Sequence, residues 1–295
     1  MKNTFKLITF SIILSLFIIS CSDDDDVTNP TTRNLTLNLS GLEALGSNFV
    51  YEGWIIVNGS PVSTGTFTSV DFPQTYVLNY DQLSNATKFV LSIEPVNDSD
   101  PAPSNTKILV GNFSGNSATV GIGTVGDFSN IVGKYILATP TNGAMTNENS
   151  GIWFLDLTGG SPATGLTLPT LPNGWKYEGW AVINGTPVTT GKFTNVAATD
   201  EFNGFSGPDA LGMVNGADGF FPGEDFLQGA PMGLTFPTDL AGGTAVISIE
   251  PEPDNSPMPF TLKPLVGSIA TDATDHTTYT MNENSASFPT GTVNR

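Results

Sequence analysis

The sequence predicts an all-β protein with two β-sandwich domains in tandem. Three observations support this prediction: one segment occurs twice, short apolar runs alternate with turn residues, and glycine, proline and small polar residues are abundant. The chain has 295 residues, with 32 glycines, 21 prolines and only 13% charged residues. Because a domain usually takes about 100–200 residues, this length suits two domains.

The repeated segment is YEGWIIVNGSPVSTGTF at 51–67 and YEGWAVINGTPVTTGKF at 177–193, with eleven of seventeen positions identical. Three further blocks recur in the same order, namely SIEP at 92–95 and 248–251, LVG at 109–111 and 265–267, and NENS at 147–150 and 282–285. This shared order indicates a tandem duplication. We therefore expect a first domain at 34–158, a short flexible linker at 159–165 and a second domain at 166–295.

Within each repeat, the pattern is that of short strands joined by tight turns. LTLNLSGL at 35–42 alternates apolar and polar residues, as a half-buried strand does. VYEGWIIV at 50–57 is apolar on both faces, which indicates a central strand. Asn58 and Gly59, like their counterparts in repeat 2, favour a type I′ hairpin turn, because both central positions of that turn need positive φ.

The remaining runs complete a sandwich. The return strand starts near Pro61, and KFVLSIEP at 88–95 is a β-branched run that ends at a proline. About seven short strands in a repeat of this length predict an immunoglobulin-like β-sandwich. No helical periodicity is found after the N-terminal apolar run, so no further helix is expected.

The two repeats differ in length between their matched blocks. Repeat 2 has an extra segment at 200–237, and repeat 1 has one at 121–141. Because insertions are tolerated best in surface loops, we expect both segments to be loops outside the shared scaffold.

Residues 1–20 have the layout of a signal peptide, with Lys2 and Lys6 before an apolar run at 7–19. The run is shorter than the roughly 20 residues that a membrane-spanning helix needs. FIISC, which ends at Cys21, resembles a relaxed bacterial lipobox, in which the peptide is cut before the cysteine and the thiol receives a lipid. A plain secretory signal followed by an incidental cysteine is the alternative.

Residues 21–33 are expected to form the lipidated cysteine and an acidic tether. The run Asp23–Asp26 suits a solvated linker, because like charges repel one another. It also resembles the surface-export signal of Bacteroidetes lipoproteins. We therefore expect an outer membrane lipoprotein at the cell surface, anchored by lipid rather than spanning the membrane, with the periplasmic face as the alternative location.

Charge limits the partners. Ten basic residues against 28 acidic ones give a formal charge of −18. Phosphate recognition needs a positive field, so this balance argues against nucleic acid and anionic lipid. The expected partners are the membrane, through the lipid anchor, and an unidentified protein or glycan. Cys21 is the single cysteine, so the fold has to stand without an internal disulfide.

The matched blocks also carry a family resemblance. A tryptophan strand, then VNGxPVxxGxF, then SIEP with a later proline, is similar to the extracytoplasmic domain of the anti-sigma-K factor (RskA) type. The residues that carry it are Trp54, Pro61, Gly65, Phe67, Glu94, Pro95 and Pro101 in repeat 1, and Trp180, Pro187, Gly191, Phe193, Glu250, Pro251, Ser256 and Pro257 in repeat 2.

The resemblance implies a β-sandwich on the outer side of the inner membrane. In that family a separate cytoplasmic helical segment holds the sigma factor, joined to the sandwich through one transmembrane helix. We expect neither part in this chain. The resemblance therefore implies the module and its fold, and the regulatory activity is only the alternative function.

No group of residues points to an enzyme. His276 is the single histidine and has no second histidine or cysteine for zinc. Glu52 and Glu94 recur as Glu178 and Glu250, and a carboxylate pair about 5–10 Å apart can hydrolyse glycosides. The alternative is that each glutamate accepts backbone N–H groups and fixes a strand end. We expect no catalytic residue and no enzyme activity.

No cofactor is expected, although calcium has weak candidate ligands at two equivalent loops. They are Asp98 and Asp100 in NDSD and Glu252 and Asp254 in EPDN. These are the hard oxygen ligands that calcium prefers, but neither loop has the glycine of an EF-hand. Asp and Asn also favour turns for reasons unconnected with metal.

The segment 200–237 is the strongest candidate for binding. A loop longer than about 15 residues is commonly functional. Its candidate contact residues are Phe202, Phe205, Phe220, Phe221 and Phe226, among glycines and acidic residues. Either these rings cover the sandwich, or some form a contact surface for a polymer or protein.

These observations predict a non-catalytic, lipid-anchored envelope or surface protein whose tandem sandwiches bind a partner. The alternative is a regulatory or sensory module related to the extracytoplasmic domain of anti-sigma factors.

Overall fold

The computed structural model describes residues 30–143, 145–208, 221–254 and 256–295. Contacts divide the chain into two units, Met1–Pro30 and Thr31–Arg295. The predicted signal peptide, Cys21 and the acidic run lie outside the described residues. Among the described residues, no helix is long and apolar enough to cross a membrane.

The predicted all-β class is confirmed. The strands are β1 (Thr32–Ser40), β2 (Phe49–Val57), β3 (Ser60–Phe67), β4 (Gln74–Asn79), β5 (Ala86–Pro95), β6 (Lys107–Asn112), β7 (Ser117–Val120), β8 (Val132–Leu137), β9 (Gly151–Trp153), β10 (Leu155–Asp156), β11 (Ala163–Thr164), β12 (Leu166–Thr167), β13 (Trp175–Ile183), β14 (Thr186–Phe193), β15 (Gly223–Asp225), β16 (Thr244–Pro251), β17 (Leu265–Ser268), β18 (Tyr279–Glu283) and β19 (Thr290–Asn294).

The strands form antiparallel sheets. Two four-stranded sheets have the orders β3-β2-β5-β6 and β4-β1-β19-β7. A nine-stranded sheet has the order β14-β13-β16-β17-β18-β8-β9-β15, with β12 paired to β8. β10 and β11 form a small separate pair.

The strand predictions for the matched blocks agree with the structure. Leu35 and Leu37 of β1 are fully buried, as its alternation predicts. β2 is a central strand, between β3 and β5. Asn58 and Gly59 have φ of 51° and 82°, and the counterparts Asn184 and Gly185 have the same values, so both predicted hairpin turns are present.

One α-helix among the described residues was not predicted. α1 (Tyr80–Asn85) spans six residues, too few for a helical period to show in the sequence. It begins after Asn79, whose side-chain oxygen accepts a hydrogen bond from Gln82 N at 3.0 Å. Leu83 is the buried residue that holds it against the core.

The two extra segments are not simple surface loops, which corrects the expectation from their lengths. Segment 121–141 contains β8, an interior strand of the nine-stranded sheet. Its consecutive residues Tyr135, Ile136 and Leu137 are all fully buried. In segment 200–237, β15 pairs with β9 at the edge of the same sheet. Burying consecutive apolar residues on both faces of a strand is favourable, so these residues are more stable in the sheet than in an exposed loop.

Strand pairs cross the boundary expected between the two repeats. β8 and β9 come from the range 34–158 but lie in the sheet of β13 and β16. β19 comes from the range 166–295 but lies between β1 and β7. Within the expected linker, β11 pairs with β10. The sheets therefore exchange strands across residues 159–165.

A single large apolar core follows from this exchange. It runs through buried side chains of both halves, including Leu37, Phe89, Tyr135, Tyr177 and Val293. A second, smaller cluster forms around Ile136, Ala138, Trp153 and Leu155.

Candidate functional site

A cleft of about 600 Å³ lies beside the extra segment of repeat 2. We call it the insert cleft, and it is lined by Thr141, Trp153, Thr199, Asp200, Glu201, Phe202, Asn203, Ser206, Gly207, Pro208, Gly223 and Gln228. These described lining residues include carboxylates, hydroxyls, amides and two aromatic rings, but no lysine or arginine. The lining therefore suits a neutral or cationic ligand better than an anionic one.

Asp200 lines the insert cleft and holds the extra segment of repeat 2 in place through its carboxyl group. Its Oδ1 accepts from Phe202 N at 2.9 Å and its Oδ2 from Gly223 N at 2.8 Å. A Cβ at Gly191 of β14 would lie 2.2 Å from Asp200 Oδ1, so only glycine lets this carboxyl approach the strand. Burial raises the pKa of Asp200 to about 7.

Two further buried carboxyls lie at the edge strand β15. Asp225 accepts from Trp153 Nε1 and from Thr141 N, both at 2.9 Å. Glu224 accepts from the Ser206 hydroxyl and from the backbone N–H of Phe205. Burial raises the pKa of Glu224 to about 7 and that of Asp225 to about 6. These carboxyls tie the segment to β9 and to the loop after β8.

The candidate phenylalanines have different positions. Phe226 is fully buried and contacts Phe205 and Phe236, with ring centroids 5.9 and 5.4 Å apart, so these rings cover the sheet. Phe221 is partly buried against the smaller core cluster. Phe202 is 37% exposed and lines the insert cleft.

Phe220 lies outside the described residues. Of the candidate phenylalanines that the structure describes, Phe202 is therefore the one whose ring a ligand in the insert cleft can reach.

A second arrangement occurs twice, once in each repeat. Trp54 Nε1 donates to Ser92 Oγ at 2.8 Å, and Trp180 Nε1 donates to Ser248 Oγ at 2.7 Å. Each serine hydroxyl in turn donates to the glutamate two residues later, Glu94 or Glu250. Both tryptophans are almost fully buried, so they occupy alike environments.

The four recurring glutamates have hydrogen-bond partners of the kind that fix strand ends. Glu94 accepts from Ser104 N and Glu250 from Phe260 N, each at 2.9 Å. Glu52 accepts from the Ser63 hydroxyl, and Glu178 accepts from that of Thr189. These contacts support the structural alternative for the glutamates, in which they hold a loop or a neighbouring strand.

Ser92 and Ser248, which link a tryptophan to a glutamate in each repeat, should contribute equally to stability. Ser92→Ala and Ser248→Ala each remove the acceptor of a buried tryptophan N–H and a donor to a buried carboxyl. We expect each change to lower the free energy of unfolding by about 1–3 kcal/mol, measured by urea denaturation. Ser40 is exposed and supplies the control. Ser40→Ala should change the free energy of unfolding by less than about 0.5 kcal/mol. A negligible effect in either core variant would show that the network is not part of the scaffold.

The calcium candidates have separate roles. Asp98 and Asp100 are exposed, and their carboxylates accept from Asp100 N at 2.9 Å and Ala102 N at 3.0 Å, as turn residues do. Glu252 lies 3.7 Å from Lys176 and 3.8 Å from Lys192.

Asp254 instead belongs to a group with Glu178 and Glu250, which we call the carboxylate cluster. One carboxylate oxygen of each residue lies within 4.8 Å of those of the other two. Burial raises the pKa of Glu250 to about 8 and that of Glu178 to about 7. Sequence reasoning named all three residues but did not bring them together, because the contact depends on strand register.

His276 lies in another group, with Asp275 and Glu148. His276 Nδ1 is 3.2 Å from Asp275 Oδ2. The Glu148 oxygens accept from Thr139 N at 3.1 Å and Thr146 N at 3.3 Å. Glu148 is thus engaged with the backbone.

One family matches part of the chain. The family described as "Anti-sigma-K factor rskA, C-terminal" matches residues 26–107, which hold the repeated segment at 51–67 and the SIEP block at 92–95. The chain is similar to this family there, in agreement with the resemblance of the tryptophan strand and the SIEP block. Neither the curated proteins nor the solved structures contain a match.

Proposed function

We propose that this chain is an extracytoplasmic regulatory or sensory module of the anti-sigma-factor-related type. The observation that carries the proposal is the match of residues 26–107 to the C-terminal family of anti-sigma-K factors. The recurring tryptophan–serine–glutamate contacts support the further proposal that this module is present twice through tandem duplication.

A lipid anchor at Cys21 would keep the chain on one side of a membrane. Regulation of transcription from there requires a membrane-spanning partner, because the lipid-anchored chain does not itself reach a cytoplasmic sigma factor. The exchanged strands support transmission of a signal through the protein, since a ligand in repeat 2 contacts a segment joined to strands of repeat 1.

The regulatory proposal is tested by transcript profiling of cells with the wild-type chain, without the chain, and with Cys21→Ala. We expect promoters that share one sigma factor to change together when the chain is absent, and Cys21→Ala to give the same change. A matched control is Ser40→Ala, at an exposed position, which should leave transcripts at the wild-type level. An unchanged profile in cells without the chain would contradict the proposal.

A second candidate function is a non-catalytic, lipid-anchored binding module. The observation that favours it is the insert cleft, whose aromatic, amide and hydroxyl groups are those that recognise the rings and hydroxyls of a neutral glycan. Protease shaving of intact cells would locate the module, since only a surface-displayed chain is cleaved.

Binding in the cleft should depend on Phe202. We expect Phe202→Ala to weaken the binding of a glycan selected from an array by about tenfold or more, because the ring is the exposed aromatic contact. The melting temperature should fall only slightly, because the Phe202 ring packs edge-on against the ring of Phe205, with centroids 5.0 Å apart. Met232→Ala is the control, since Met232 is fully exposed and does not line the cleft. Equal binding by both variants would place the ligand elsewhere.

A further inference from the structure

We propose that the carboxylate cluster of Glu178, Glu250 and Asp254 binds a hard divalent cation, with Ca²⁺ as the preferred ion. This site does not depend on the regulatory proposal. It differs from the loop sites that the sequence suggested, because two of its three residues lie on strands.

The sheet fixes the two glutamates. Glu178 of β13 lies opposite Ser248, and Glu250 of β16 lies opposite Lys176. The two glutamates are therefore diagonal neighbours on one face of the sheet. Asp254 follows three residues after β16 and reaches back to them. Two of the three proposed ligands are therefore held in place by paired strands.

Two oxygens in the cluster lack a hydrogen-bond partner although they are buried. Glu250 is fully buried and Glu178 is 5% exposed. Their Oε1 atoms accept hydrogen bonds, but Glu250 Oε2 and Glu178 Oε2 accept none. A buried carboxylate oxygen without a partner is unfavourable. A cation would supply the missing partner to both.

The spacing is compatible with one ion shared by the three carboxylates. Calcium binds oxygens at about 2.3–2.6 Å, so two oxygens on one ion can be up to about 5 Å apart. One carboxylate oxygen of each of the three residues lies within 4.8 Å of those of the other two.

The ligand types select the class of ion. Three carboxylates offer hard oxygen atoms, which favour Ca²⁺ or Mg²⁺. The group contains no histidine or cysteine, which zinc prefers. Ca²⁺ tolerates irregular geometry better than Mg²⁺ does, and this site joins two strands to a loop.

Lysines nearby limit the affinity. Lys192 Nζ lies 2.9 Å from Asp254 Oδ2, and Lys263 interacts with Glu250 electrostatically. Lys176 Nζ is engaged with Glu201 at 2.8 Å. Repeat 1 has Thr66 at the position of Lys192, each paired to the first glutamate of its repeat. Lys192→Thr should therefore raise the affinity for Ca²⁺ about tenfold by removing a competing charge.

The experiment uses the full chain, freed of metal with EDTA and dialysed. Thermal unfolding with and without millimolar CaCl₂ should show a Ca²⁺-dependent rise in Tm of about 3 °C or more. Terbium provides a direct probe, since Trp180 is linked through Ser248 to Glu250 and can sensitise Tb³⁺ emission. CaCl₂ should displace the Tb³⁺ and quench this emission, and MgCl₂ should do so less well.

Variants localise the ion. Glu178→Gln and Asp254→Asn should each lose the Tb³⁺ emission and the Tm rise. Glu52→Gln in repeat 1 should keep both, because Glu52 is only partly buried and has no such cluster among the described residues. If a variant does not fold, the titration of the wild-type protein with Ca²⁺ and Tb³⁺ still tests the proposal. Absence of a Ca²⁺ response in the wild type, or its retention in both cluster variants, would overturn the proposal.

Discussion

Val293→Asp should destabilise the whole unit of residues 31–295 and not only the C-terminal strand. Val293 is fully buried and lies between Leu37 of β1 and Ala118 of β7, both also buried. An aspartate there would place an unpaired charge in the core. We expect the free energy of unfolding to fall by about 4 kcal/mol or more, measured by denaturant unfolding.

The neighbouring residue supplies the control. Thr292 is on the same strand but exposed, so Thr292→Asp should change stability by less than about 0.5 kcal/mol. Unfolding of Val293→Asp should also be reported by tryptophan fluorescence, since Trp175 belongs to the same apolar core as Val293. A fragment 34–158 that unfolds cooperatively by itself would contradict this dependence on β19.

Stability should decrease as the pH rises from about 5 to about 8, because buried carboxyls around the insert cleft lose their protons. Burial raises the pKa of Asp200 and Glu224 to about 7, and that of Asp225 to about 6. Each folded pKa is above its unfolded value. The stabilising contribution is therefore fully present below the unfolded pKa and is lost as the pH passes the folded pKa.

Each pKa unit corresponds to about 1.4 kcal/mol, so we expect Asp200 and Glu224 each to contribute on the order of 2–3 kcal/mol to this decrease, and Asp225 about half as much. Glu224→Gln should flatten the pH dependence by about one such contribution, because an amide resembles the protonated acid. Glu283 is exposed, so Glu283→Gln should leave the profile unchanged. Urea unfolding of the wild type and of both variants across this pH range, with EDTA present, measures these profiles. A wild-type stability that rises with pH would refute the expected sign.

The matched blocks were the part of the fold that the sequence predicted well. The alternation of β1, the apolar run of β2 and the two Asn-Gly turns are properties of residues that are close together in the sequence. Local patterns of this kind determine which residues form strands. The immunoglobulin-like strand arrangement stays a prediction.

The strand exchange could not be predicted in the same way. YIL at 135–137 is too short for its period to distinguish a strand from a loop. Tyr135 pairs with Tyr279, and Gly133 of the same strand pairs with Leu166, so both partners come from later segments of the chain. Such pairings are set by tertiary packing rather than by local sequence.

The candidate sites were predicted in part. Segment 200–237 was identified by its length and phenylalanines, and it borders the insert cleft. Asp254 was named as an oxygen ligand, whereas its approach to Glu178 depends on the register of β13 with β16. Asp200, Glu224 and Asp225 carried no separate signal, because burial of a carboxyl is not visible in a run of acidic residues.

The position of β19 has a consequence for synthesis of the protein. A ribosome makes Leu37 first and Val293 more than two hundred residues later, yet these two residues pair across neighbouring strands. Until β19 is added, β1 and β7 present open backbone edges, which attract other chains. A chain that lacks β19 should therefore associate with other chains more readily than the full chain does.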